Sequence, residues 1–118
     1  MRGILRIAGT ADVVSGVIGL TAAGWLADQL GAGTTVVRVG TVVLLVLGVE
    51  TILLAARPAM AKATIVIEAL AALGAIDLAV FGDATATGTA LLVATAIYCA
   101  AIALRLFTDQ RARVPLAA

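Results

Sequence analysis

Four long apolar stretches, separated by short polar breaks, take up almost the whole of this 118-residue chain. Hydrophobic residues make up 63% of it, and the mean hydropathy is +1.17. A water-soluble fold of this size leaves much of its surface exposed and cannot hide so many apolar side chains. The solvent such a sequence demands is lipid. Lipid restricts a spanning backbone to helices or a closed barrel. The abundant Val and Ile would suit strands, but barrel strands alternate polar with apolar residues, and these stretches do not. The expected fold class is all-α: an integral membrane bundle of four transmembrane helices, in one domain over residues 1–118.

Span one is expected at about 4–27, ending in a turn at Asp28, Gln29, Gly31 and Gly33. Span two is expected at about 36–56, with Thr34 or Thr35 as its cap. Arg57-Pro58 closes it, because proline disfavours helical geometry in the residue before it. Pro58 can itself start span three, about 59–81. Gly82 ends that span, and Asp83 is the expected N-cap of span four, about 84–107. Each span has the roughly 20 residues needed to cross about 30 Å of hydrocarbon. Arg2 and Arg6 before an apolar run resemble a signal peptide, but Asp12 and the run's length argue for a retained helix.

Charge sets the expected orientation. Arg2 and Arg6, Arg57 and Lys62, and Arg105, Arg111 and Arg113 flank one side of a four-span topology, and Arg38 alone falls on the other. The positive-inside rule then puts both termini in the cytoplasm. Trp25 becomes an interfacial anchor on the outer side, where Asp28 and Asp83 also fall. A net charge of +1 with no basic, aromatic-interleaved stripe argues against a nucleic-acid partner. There is no His, and Cys99 is the one cysteine, read as a small membrane-buried hydrophobe. No metal cluster, disulfide, haem ligation or activated nucleophile can be assembled, so the chain is expected to be neither an enzyme nor a cofactor protein. Seven arginines against one lysine, with much Ala, Val and Gly, fit a bacterial source.

Close backbone approach matters between helices in lipid, because no hydrophobic effect drives them together. Span one carries a small or polar face of Gly9, Asp12, Ser15, Gly16, Gly19 and Ala23. Span three carries another, of Ala61, Thr64, Glu68, Ala71, Ala72, Ala75 and Ala79. Span four adds Gly88, Thr95, Ala96, Cys99 and Ala103. Gly16, Gly19, Ala72 and Ala75 are the expected packing contacts, within the bundle or with a partner.

Asp12, Glu50, Glu68 and Asp77 interrupt the apolar spans, where charge is expensive. Measured from the basic edge of each span, Asp12, Glu50 and Glu68 fall at a common depth of about 9–11 Å, with Tyr98 nearby. Asp77 lies nine residues past Glu68, on the opposite face and near the other surface. Three carboxyls from three helices in one layer cannot all ionise together. Such a layer can exchange protons, bind a monovalent cation or attract a cationic amphiphile, with Thr10, Ser15, Thr51, Thr64 and Thr95 completing the hydrogen bonding. The alternative is purely structural. Asp12 is six residues from Arg6, Glu68 six from Lys62, and Glu50 two turns from Arg57, so snorkelling basic side chains can neutralise each acid.

The pattern LRIAGTADVVSGVIGL, VVRVGTVVLLVLGVE, ARP and AIDLAV resembles the small, uncharacterised four-span inner-membrane proteins of bacteria. That resemblance implies a four-helix fold and no particular activity. The size is similar to small multidrug-resistance transporters and fluoride channels. The first carry a key glutamate among aromatic residues in span one, where this chain has Asp12 and few aromatics. The second carry an Asn- and Phe-rich polar track that is absent here. The expected function is a proton- or cation-coupled transporter subunit of the bacterial inner membrane, acting through Asp12, Glu50, Glu68 and Tyr98 as a homo-oligomer or within a larger complex. The alternative is a non-catalytic accessory subunit packing through its Gly/Ala faces.

Overall fold

The computed structural model of the chain describes residues 2–113, with the backbone alone for Arg2, Ala112 and Arg113. The charges of Arg2 and Arg113 therefore lie outside the described side chains. Five helices run in order: α1 (Arg2–Thr21), α2 (Ala23–Leu30), α3 (Thr34–Leu53), α4 (Pro58–Phe81) and α5 (Ala86–Arg113). Among the described residues there is no strand. Four of the helices are long and apolar enough to cross a membrane: Gly3–Thr21, Thr34–Leu53, Pro58–Phe81 and Ala86–Arg111. Large apolar side chains such as Ile18, Val39, Leu53, Leu70, Leu73 and Phe81 stand exposed on their outer faces. This architecture is compatible with a multi-pass membrane protein, and it places the start of α1 and the Leu106 turn of α5 at the same end of the bundle.

Span one was expected as one helix to Ala27, but it breaks at Ala22. The Thr21 hydroxyl donates to the Ile18 carbonyl at 2.9 Å and to that of Val17 at 3.1 Å. Such back-bonding often accompanies a bend, and the backbone bonds from Ala22 N–H to the Ile18 carbonyl and from Leu26 N–H to the Ala22 carbonyl carry the chain across it. The chain resumes as α2, which carries Trp25 on its exposed side and ends at Gly31. Gly31 takes φ +66°, a left-handed cap that glycine adopts without a steric penalty.

Two expected caps are corrected. Gly33, in extended conformation, precedes α3, so neither Thr34 nor Thr35 is its cap. Asp83 does not cap the last span. Thr85 does, accepting from the Gly88 N–H at 3.0 Å, and the helix starts at Ala86. Pro58 opens α4 and Gly82 closes it, as the sequence predicts. The last helix continues past Phe107, where Arg105 pairs with Asp109 at 3.7 Å and Arg111 lies over the Phe107 ring.

Two extensive interfaces hold the helices, α1 against α3 and α4 against α5. In the first, the Gly16 Cα faces the Leu45 side chain and the Thr41 carbonyl, Gly19 faces Thr41, and Gly9 meets Gly48. A Cβ at any of these positions would collide with the other helix or crowd it. In the second, Ala72 and Ala75 are buried, and Ala75 packs with Leu92 and Ala96. The two pairs are joined at both ends. Near the chain termini, Leu5 and Leu106 pack with Ala55 and Ala61 and are almost wholly enclosed. At the other end α2 touches both α3 and α5. There the Thr85 N–H donates to the Gln29 carbonyl at 2.8 Å, and the Thr85 hydroxyl donates to Gln29 Oε1 at 2.6 Å.

These contacts predict three effects on stability. Gly16→Leu overpacks the α1–α3 interface and destabilises the fold by about 1–3 kcal/mol, read as a lower thermal midpoint in detergent. Gly40→Ala and Gly74→Ala, where a Cβ meets open space, leave the midpoint unchanged or raise it, by up to about 1 kcal/mol. Thr85→Ala removes a helix cap and the Gln29 clasp together, costing about 1–2 kcal/mol, and hydrogen exchange of the α2 amides accelerates.

Candidate functional site

Glu68 is the one charged side chain that is buried among the described residues. It lies ten residues into α4, about 15 Å from that helix's start, and its side chain is only 4% exposed. Asp12 lies ten residues into α1, at the same depth. The two helices run in the same direction, so their equal rise brings the carboxyls level, and they are in electrostatic reach of each other. Asp12 is half-buried, with its Cβ over Gly48 of α3. A side chain at position 48 would push Asp12 away.

The last helix supplies the third wall. The Cys99 thiol lies against the Glu68 carboxyl, and the Tyr98 phenol lies within electrostatic range of both acids. That hydroxyl is buried with no hydrogen-bond partner. So is the hydroxyl of Thr64, one turn before Glu68 on the same face of α4 and itself only 4% exposed. Two buried hydroxyls without partners, beside two carboxyls, form a polar island between the Leu5–Leu106 core and the Ala75–Leu92–Ala96 core.

The expected layer is therefore two acids rather than three. Asp12, Glu68 and Tyr98 come together, and Glu50 does not join them. Two residues past buried Gly48 and one before buried Thr51, Glu50 faces outward and is exposed. It is also shallower than its sequence position implied. The helix ends at Leu53 rather than Ala56, leaving Glu50 three residues from the end, about 4.5 Å. Asp77 is exposed on the far face of α4, as the nine-residue spacing predicts. The other expected hydroxyls are spent elsewhere. Thr10, Ser15 and Thr95 are exposed, and Thr51 donates to the Leu47 carbonyl at 2.7 Å. Ala71 is exposed as well, so the small face of α4 is narrower than expected.

Among the described residues no base neutralises this site. Arg6 and Lys62 are exposed, and among the described residues no ion pair joins either Asp12 or Glu68 to a base. The role of Cys99 was missed. Its neighbour Tyr98 is about 100° away around the helix, and only the rotation of α5 decides that both reach Glu68. Gly48 was missed too, since its importance depends on the pairing of α1 with α3.

Burial of the one thiol gives a direct check on this arrangement. Cys99 is 7% exposed, so maleimide leaves it unmodified in the folded protein and labels it fully after denaturation. Glu68→Ala opens space beside the sulfur and makes it reactive in the folded state. An equally protected thiol in that variant, measured by mass spectrometry, would contradict the placement.

No protein-family model matches the chain, and neither a curated protein nor a solved structure matches it. What the site does follows from its own chemistry.

Proposed function

We propose that the chain is a small polytopic protein of the bacterial inner membrane that serves as a proton- or cation-coupled transporter subunit, with both termini in the cytoplasm. The observation that carries this reading is the Asp12–Glu68 pair. Ionisable side chains in the hydrocarbon interior are costly, by about 2.5–3.5 kcal/mol for a charged acid at a helix centre. They persist where something uses them. Here neither acid has a basic partner among the described residues, and two unpartnered hydroxyls adjoin them. Three helices contribute to the island, so movement of one helix pair against the other changes which face it meets.

The orientation rests on the basic residues near the termini and on Arg57 and Lys62, which lie at the same end of the bundle. The accessory-subunit alternative relied on Gly16, Gly19, Ala72 and Ala75 as a surface for a partner. Those residues are buried within the chain, so that surface is already filled. The transporter reading is the better supported. A homo-oligomer forms, on this reading, through the exposed apolar faces of the helices.

The test is flux in reconstituted vesicles with a pH-sensitive dye inside and an imposed cation or proton gradient. Wild-type protein dissipates the gradient. Asp12→Asn and Glu68→Gln reduce dissipation to the level of protein-free vesicles, and Glu50→Gln leaves it unchanged. Flux absent from wild type, or lost equally in the Glu50 variant, would contradict the proposal.

A further inference from the structure

The site's surroundings narrow the ligand class, and this step rests on the transporter reading above. A dehydrated metal cation needs a shell of oxygens. In membrane transporters, sodium sites commonly recruit backbone carbonyls from helices that unwind at the site. Here α1, α4 and α5 are unbroken through the level of Asp12, Glu68 and Tyr98, so their carbonyls are engaged in the helix ladder. Among the described residues no group of three or more acidic, Cys or His side chains converges as a metal ligand set. The grooves headed by Arg6, Arg38 and Arg57 open on outer faces, and neither Asp12 nor Glu68 lines them, so these three grooves bring no organic cation to the acids.

A proton needs no such shell. It needs an acid able to exist in two forms and hydrogen-bonding groups able to serve both. The titratable groups facing Glu68 are Asp12 from α1 and Tyr98 and Cys99 from α5. On α3, the other helix packed against α1, the one acid is Glu50, and it faces away. Thr64 and Tyr98 each hold a hydroxyl hydrogen that donates to nothing in this state. A carboxylate would accept both, whereas a neutral acid has less need of them.

We infer that the ligand of this site is the one exchangeable proton of the Asp12–Glu68 pair, whose other carboxyl stays protonated, and that Tyr98 and Thr64 are positioning residues whose hydroxyls receive the carboxylate once that proton leaves. In that step the acid O–H bond breaks, and its electron pair stays on the carboxyl oxygen. The proton passes to water on whichever side the helices open. The hydroxyls of Thr64 and Tyr98 turn to donate to the new carboxylate, and the pair passes from neutral, with both carboxyls protonated, to one negative charge, the second carboxyl keeping its proton. The arrangement stabilises the charged form without any basic residue.

Infrared difference spectroscopy of the protein in vesicles, stepped in pH, tests this directly through the carbonyl stretch of a protonated carboxyl. Wild type shows such a band that disappears as pH rises. Asp12→Asn and Glu68→Gln identify it by altering or abolishing it. Tyr98→Phe keeps the fold, as judged by its elution and by Cys99 protection, and retains the band to about tenfold lower proton concentration, since one hydrogen bond to the charged form is lost. Thr64→Val acts in the same direction.

Sodium chloride exchanged for choline chloride at constant pH leaves the band in place. A sodium-dependent loss of the band would overturn the proton assignment while leaving a cation-coupled transporter intact. A Tyr98→Phe profile superimposable on wild type would overturn the role given to that hydroxyl. Vesicles that show the titrating, Tyr98-sensitive band but no flux would uphold the proton site and remove the transport reading.

Discussion

Backbone contact between α1 and α3 is the constraint on which the rest of this architecture depends. Lipid gives two helices little reason to associate unless they can come close enough for dense packing. Gly9, Gly16 and Gly19 on one helix, with Gly48 on the other, remove the side chains that would hold the axes apart. The approach fixes rotation as well as distance. With Gly9 and Gly16 turned into the interface, Asp12 between them comes to rest over Gly48, on the side that reaches α4. A polar residue is thus placed by the packing of apolar neighbours, and no bond of its own is needed to hold it there.

The second helix pair reaches the first at its two ends. Leu5 and Leu106 fill one end, and the Gln29–Thr85 hydrogen bonds fasten the other through α2. Between these anchors the facing residues are mostly small, apart from Asp12, Glu68 and Tyr98. The consequence is an interior with little bulk at the depth where the carboxyls sit. Small residues pack closely yet interlock less than large ones, so sliding of one pair against the other disturbs few side chains. The turn at Ala22 lets α2 leave the line of α1 and pack against both α3 and α5.

Much of this was legible in the sequence, for identifiable reasons. Four spans can be read because a 20-residue apolar run has few alternatives to a membrane helix. The small faces of spans one and three can be read because helical periodicity sorts glycine and alanine from leucine and valine. Rotation about the helix axis is harder. Glu50 and Gly48 are two residues apart, and only the pairing of α3 with α1 decides which of them turns inward. Local hydrogen bonding was also hidden. Thr21 bonds back to two carbonyls just before the bend in span one, a local contact that a hydropathy profile ignores. Thr85 displaces Asp83 as a cap because its hydroxyl serves Gly88 and Gln29 together, a tertiary contact across 56 residues. Where tertiary contacts outrank local preference, a single sequence carries only the preference.

The contrast between Glu50 and Glu68 bears most directly on function. Both are glutamates within apolar helices, and hydropathy treats them alike. Glu50 stands less than a turn from the end of α3 on an exposed face, where its carboxyl can reach the polar boundary of a bilayer. Glu68 has no such escape. It lies about 15 Å from the start of its helix, enclosed by α4, α5 and the reach of Asp12. An acid chosen only to hold helices together would fare as well as an amide, which makes the same hydrogen bonds without the liability of charge. Two acids set against each other, with unsatisfied hydroxyls beside them, gain nothing for packing over Asn and Gln. What distinguishes a carboxyl from its amide is the ability to gain and lose a proton, and that is the property this interior retains.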